Sequence, residues 1–234
     1  MTLTILYEDK DVIVCVKPAG VPTQSSQIQT PDMVSILTNH LSEQSASHKQ
    51  PYLAVIHRLD QPVEGILVFA KTPYAAKELN RQLTTHGFGK YYRALLRGKP
   101  ATTSGTLIHY LVKDGKTNSS KVCKEGTPGA KLASLDYEIL HPYTCKDGSE
   151  FAVAEIKLYT GRHHQIRVQM SQLGHPIVGD RKYGPAATIP TELSSQLPHQ
   201  LLQLYACKLS FQHPRTCNQM EFSIQRLDHF EKES

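Results

Sequence analysis

Ile56-His57-Arg58-Leu59-Asp60-Gln61-Pro62-Val63-Glu64-Gly65-Ile66-Leu67-Val68-Phe69-Ala70-Lys71 is the stretch on which the fold turns. The apolar run Ile66–Phe69 reads as a buried strand. Pro62 and Gly65 predict a turn just before it. Asp60 then sits at the lip of a core strand, two residues from Arg58. Taken alone, this is either a turn cap with an ion pair or a carboxylate mounted on a scaffold for chemistry.

Upstream, residues 2–6 alternate, and Val12–Val16 is a β-branched run ended by Lys17-Pro18-Ala19-Gly20. Residues 23–32 read as a polar loop. Met33, Ile36, Leu37 and Leu41 then share a helical face, followed by a soft segment over 42–51. Downstream, Thr72 as N-cap and Pro73 at the first helical position start a helix, with Gly87 as its stop. Strands are expected over 90–98, 106–112, 131–140 and 152–158, with a Gly/Ser/Lys-rich connection between the second and third. A short helix carries Ile166, Met170 and Leu173 and closes at Gly174. Residues 184–200 read as an irregular loop, and strands follow over 201–211 and 221–224. Runs of strands with a few helices between them predict an α+β fold with a largely antiparallel sheet.

The 234 residues suffice for one large domain or for two lobes around a cleft. No apolar run is long enough for a membrane helix, and the N-terminus lacks a secretory pattern. Five scattered cysteines without a CxxC point to a reducing cytoplasm rather than a disulfide framework. No His/Cys ligand spacing suggests a metal. A net charge of +5 permits a nucleic-acid partner without demanding one.

Thr160-Gly161-Arg162-His163-His164-Gln165-Ile166-Arg167 follows a strand and opens a helix. Two arginines near helix N–H groups suit an anion, though a surface ion-pair cluster fits equally. Gly174-His175-Pro176-Ile177-Val178-Gly179-Asp180-Arg181-Lys182-Tyr183-Gly184 specifies a tight backbone. It either carries Asp180 or Tyr183 into a site or buttresses the core.

With these stretches in view, the chain resembles the RluA-type pseudouridine synthases. The matching motifs are Tyr7-Glu8-Asp9 with Lys17-Pro18-Ala19-Gly20, His57–Asp60 with Gly65–Lys71, Lys90-Tyr91-Tyr92-Arg93-Ala94 with Gly98, Thr160–Arg167, and Gly174–Asp180 with Tyr183-Gly184. They occur in the family's order and span about residues 3 to 224. The resemblance implies a pseudouridine synthase catalytic fold with a central cleft, as a single domain over 1–234 without an S4-type RNA-binding domain. It also implies isomerisation of uridine to pseudouridine in rRNA or tRNA after base flipping, with no cofactor and no metal. The expected protein is a cytoplasmic monomer that binds RNA and no membrane. By the same resemblance Asp60 is the catalytic carboxylate, Arg167 its partner, and Tyr92 stacks on the uracil. Arg58 fills the space that the uridine leaves. Lys17, Arg162 and His164 serve structure or phosphate contact.

The chain departs from the family pattern at Val63-Glu64, Gln169 and Tyr205. Glu64 is expected to point outward or to pair with a base, because a second carboxylate facing Asp60 would disfavour its ionised form. Two other readings stand beside the main one. An inactive RNA-binding module would keep the fold and lose the site. A hydrolase would use Asp60 and Glu64 as a carboxylate pair.

Overall fold

The computed structural model describes residues 3–25, 30–44, 49–85, 87–185, 190 and 202–225. Its contacts divide the chain into two units. Unit 1 takes in Met1–Lys90 and Ala206–Ile224, and unit 2 takes in Tyr91–Tyr205 and Gln225–Ser234.

Unit 1 is organised around two apolar runs that become neighbouring strands. β2 (Val12–Lys17) and β4 (Glu64–Ala70) pair antiparallel, with Val14 opposite Val68. Both runs are buried almost throughout, which is why neither alternates in sequence. β1 (Thr4–Glu8) covers the far side of β2, with a bulge between Ile5 and Tyr7. β3 (Ala54–Val55) pairs with β4 and was not expected. Two residues are too few to show a period. α1 (Met33–Gln44) buries Met33, Leu37 and Leu41 and runs three residues into the stretch expected to be soft. α2 (Pro73–Thr84) starts as the sequence predicts: the Thr72 hydroxyl accepts from the Ala75 N–H. It ends at Thr84, before Gly87, because the Thr84 and Thr85 hydroxyls donate to the Arg81 carbonyl. Ala75, Ala76 and Leu79 of α2 share a core with Val12, Val14, Ile66 and Val68. Burial of one such Val or Leu side chain is worth about 1.5–3 kcal/mol.

Gly65 is a correction. It lies inside β4 rather than in a turn before it, and its φ is +141°. A Cβ there would sit 2.5 Å from the backbone N and O of Ala206 on β10 (Leu204–Gln212). The glycine admits a neighbouring strand. The turn itself is made by Gln61-Pro62, with the Val63 N–H donating to the Asp60 carbonyl at 3.0 Å. β11 (Gln219–Ser223) pairs antiparallel with β10, with Leu209 opposite Phe222. Residue 201, expected to begin this strand, lies outside the described residues, as does most of the expected loop over 184–200.

In unit 2 the strands run in the order β5 (Gly89–Arg97), β9 (Glu150–Leu158), β8 (Lys131–Thr144), β6 (Ser104–Asp114) and β7 (Ser119–Cys123). The first two residues of β5 belong to unit 1. β7 lies in the stretch read as a connection. Its residues are mostly polar, and pairing with β6, not apolar content, makes it a strand. Asn118, at φ +48°, turns the chain between them. β8 is longer than expected because a bulge between Ile139 and His141 carries it past Pro142. α3 (Gln165–Gln172) is buried along Gln165–Met170, so its polar residues need internal partners. Among the described residues these elements make an α+β fold with a largely antiparallel sheet, as the strand runs predicted.

Candidate active site

Unit 1 holds Asp60, Arg58 and Lys17. The loop that carries Asp60 is fixed from both ends. Thr23 is buried, and its hydroxyl both accepts from the Leu59 N–H and donates to the Leu59 carbonyl, each at 3.1 Å. Lys17, at the end of β2, is fully buried. Its ammonium donates to the carbonyls of Pro18 (2.9 Å), Val21 (2.6 Å) and Gln61 (3.0 Å). Gly20 N–H adds a bond to the same Gln61 carbonyl, and the Gln61 amide returns one to the Gly20 carbonyl. The Lys-Pro-x-Gly turn and the Asp60 loop are thus one tied body. Burial pushes the Lys17 ammonium down to about 8, against the opposing charges of Asp60 and Glu64. Both carboxylates therefore act on this cation. Glu64 is half-buried at the start of β4. Asp60 is half-buried and Arg58 is exposed. His57, next to them, is neutral: burial, then the charge of Lys90, pushes its imidazole down to about 3.

Unit 2 holds Tyr92, Arg162, His164 and Arg167. Tyr92 is buried on β5. The Gln165 side chain organises the entry to α3: its Oε1 accepts from Thr160 Oγ1 and the Arg162 N–H, and its Nε2 donates to the Ser134 carbonyl. Arg162 Nε donates to the Leu132 carbonyl at 2.8 Å. His164 caps α3 in the left-handed region, at φ +54° and ψ +26°, which is uncommon for a non-glycine residue. Its ring stacks on His163 at 3.7 Å and lies 2.7 Å, Nδ1 to hydroxyl, from Tyr183. Burial and the charge of Arg167 push the His164 imidazole down to about 3, so it is neutral.

Arg167 forks onto Asp180, Nε to Oδ2 and Nη2 to Oδ1, both at 2.8 Å. The sequence reading gave Asp60 as its partner and did not foresee this pair. Burial would raise the Asp180 pKa. The Arg167 guanidinium and the N–H groups of Lys182 and Tyr183 outweigh it and hold the carboxyl below its ordinary value. The Arg167 guanidinium carbon also lies 5.1 Å from the centre of the Tyr183 ring. Asp180 and Tyr183 are thus the residues whose part the sequence left open. The density of glycine and proline around them was the signal. Gln169, fully buried, donates to the Leu107 carbonyl and shares a hydrogen bond with His109 Nδ1, which seats α3 on β6. Among the described residues, no three His, Cys, Asp or Glu side chains are grouped to hold a metal ion. No helix among them is long and apolar enough to cross a membrane.

A family model described as RNA pseudouridylate synthase matches residues 11–172. The chain is 32% identical over 231 residues to an uncharacterised RNA pseudouridine synthase of Aquifex aeolicus, covering 97% of this chain and 71% of that protein. It is 32% identical over 227 residues to the ribosomal large subunit pseudouridine synthase D of Vibrio parahaemolyticus, covering 94% of this chain and 66% of that one. Among solved structures it is similar to human RNA pseudouridylate synthase domain containing 1, with a TM-score of 0.73 and 25% identity, over 98% of this chain and 86% of that one.

Proposed function

The chain belongs to the RNA pseudouridylate synthase family, and we propose that it isomerises uridines of large-subunit ribosomal RNA with Asp60 as the catalytic carboxylate. The observation that carries this reading is the tying of the Asp60 loop by Lys17 and Thr23. A loop so fixed presents a half-exposed carboxylate in one orientation, and orientation is what a covalent or glycosidic-cleavage step requires. The ribosomal target rests on the name of the Vibrio relative.

By the family resemblance Asp60, Tyr92 and Arg167 are the catalytic residues. The base must leave its stack before its glycosidic bond can be reached. Exposed Arg58 takes its place in the RNA, and the ring of Tyr92 stacks on the uracil. All three donors of the Lys17 ammonium go to carbonyls, which favours a structural part for it over phosphate contact. His164, being neutral, serves phosphate only as a hydrogen-bond partner, whereas Arg162 brings charge. The chain works as a monomer, as one catalytic domain, in the cytoplasm. Its RNA binding weakens as salt rises, because neutralised phosphates release counterions. The test is a pseudouridine map of cellular RNA with and without the protein. Loss of modification at large-subunit rRNA positions is expected. Loss confined to transfer RNA would overturn the target, and no loss anywhere would favour an inactive binding module.

A further inference from the structure

We infer that Tyr183 is the positioning residue for Arg167, its ring setting the face of the guanidinium while its hydroxyl ties the start of α3 to the β6–β7 hairpin. The fork from Arg167 to Asp180 fixes two donors in the plane of the carboxylate. It leaves the guanidinium able to tilt about that plane. The Tyr183 ring, 5.1 Å from the guanidinium carbon, opposes the tilt, because a cation is held over an aromatic face. The same residue closes the loop on itself. Its N–H donates to Asp180 Oδ1 at 3.1 Å, and its carbonyl accepts from Ser171 Oγ of α3 at 2.8 Å. Gly184 must be glycine for this, since a Cβ would meet the Asp180 carbonyl oxygen at 2.7 Å.

The hydroxyl acts at a second place. It accepts from the Ser120 N–H of β7 at 2.8 Å and lies 2.7 Å from His164 Nδ1. The hydroxyl is thus shared between β7 and the imidazole that begins α3. Ser120 Oγ in turn meets His163 Nδ1 at 2.9 Å, and Lys182 Nζ donates to the carbonyls of Thr117 and Asn118 at the hairpin turn. The strained His164 backbone and the arginine three residues on are therefore held by one side chain.

The inference rests on the reading that Arg167 acts in the reaction, and the experiment separates the two. Full-length wild type, Tyr183→Phe, Tyr183→Leu and Arg167→Lys are compared on a large-subunit rRNA transcript, with kcat and KM from tritium release. The Nε–H signal of Arg167 is followed by NMR in each Tyr183 variant. Tyr183→Leu is expected to lower kcat by about tenfold or more with KM little changed, since misorientation costs the chemical step. Its Arg167 Nε–H is expected to exchange faster. Tyr183→Phe, which keeps the ring, recovers most of kcat and the protected signal. Should Tyr183→Leu not fold, progressively fluorinated phenylalanine at 183 keeps the shape and weakens the attraction of the face, and kcat should fall in step. Loss of activity in Arg167→Lys with wild-type kcat and signal in Tyr183→Leu, or no trend across the fluorinated series, overturns the inference. Full activity in Arg167→Lys overturns the reading of Arg167 instead, and the Nε–H signal then decides whether Tyr183 positions it.

Discussion

Each unit contains an arginine forked onto a fully buried aspartate with a tyrosine ring at its face. In unit 1, Arg215 donates to Asp11 at 2.6 and 2.8 Å and lies over Tyr74 at 5.3 Å. In unit 2, Arg167 donates to Asp180 at 2.8 Å twice and lies over Tyr183 at 5.1 Å. The difference is in the cation. The Arg215 side chain is 47% exposed, whereas that of Arg167 is 8% exposed. Asp11 also accepts from Thr72, the cap of α2, so its pair staples a helix start to the β10–β11 turn. Asp180 is otherwise satisfied by N–H groups of its own loop. One chemistry thus makes a surface staple and an enclosed charge. An enclosed guanidinium is costly to bury, and the role proposed for Arg167 in the reaction would give it a use beyond stability.

Asp180→Ala leaves Arg167 enclosed without its carboxylate and should destabilise by about 3–5 kcal/mol, read by urea unfolding. Arg215→Ala leaves Asp11 buried with Thr72, and the exposed setting of the cation should make its loss the smaller of the two in the same assay. Equal losses in the two variants would erase the distinction between the enclosed and the exposed cation. The smallest expected effect is Thr23→Val, which strands the Leu59 N–H and carbonyl and should cost about 1–2 kcal/mol, together with some kcat.

Acid sharpens the same contrast. The hydrogen bond from Arg215 is the main cause holding the Asp11 carboxyl at about 2, below its ordinary value of 3.8. A carboxylate lowered on folding contributes stability that is whole above its unfolded value and is lost as pH falls through the folded one. Wild type should therefore lose this contribution between about pH 4 and pH 2. Arg215→Ala should show a shallower fall of melting temperature over that window. Parallel curves for the two proteins would contradict the role given to Arg215.

Where a pattern is carried by side-chain chemistry of one segment, it was legible. The buried runs Val12–Val16 and Ile66–Phe69 and the Thr72-Pro73 helix start all stand where the sequence put them. What depended on a distant partner was not. β7 is a strand because β6 lies beside it, and Gly65 is a glycine because Ala206 does. At the site, motif order pointed to Asp60 and Arg167. Local spacing could not show that Lys17 ties the Asp60 loop through Gln61, or that Asp180 and Tyr183 hold Arg167. Such contacts join segments far apart in the chain and leave no period in it.

Whether Asp60 is the carboxylate of the reaction is decided by Asp60→Asn, which keeps the size of the side chain and removes its charge. With a large-subunit rRNA transcript labelled at uridine C5, wild type is predicted to release tritium. Asp60→Asn, folded and binding the same RNA, is predicted to release none above background. Wild-type release from Asp60→Asn would contradict the account.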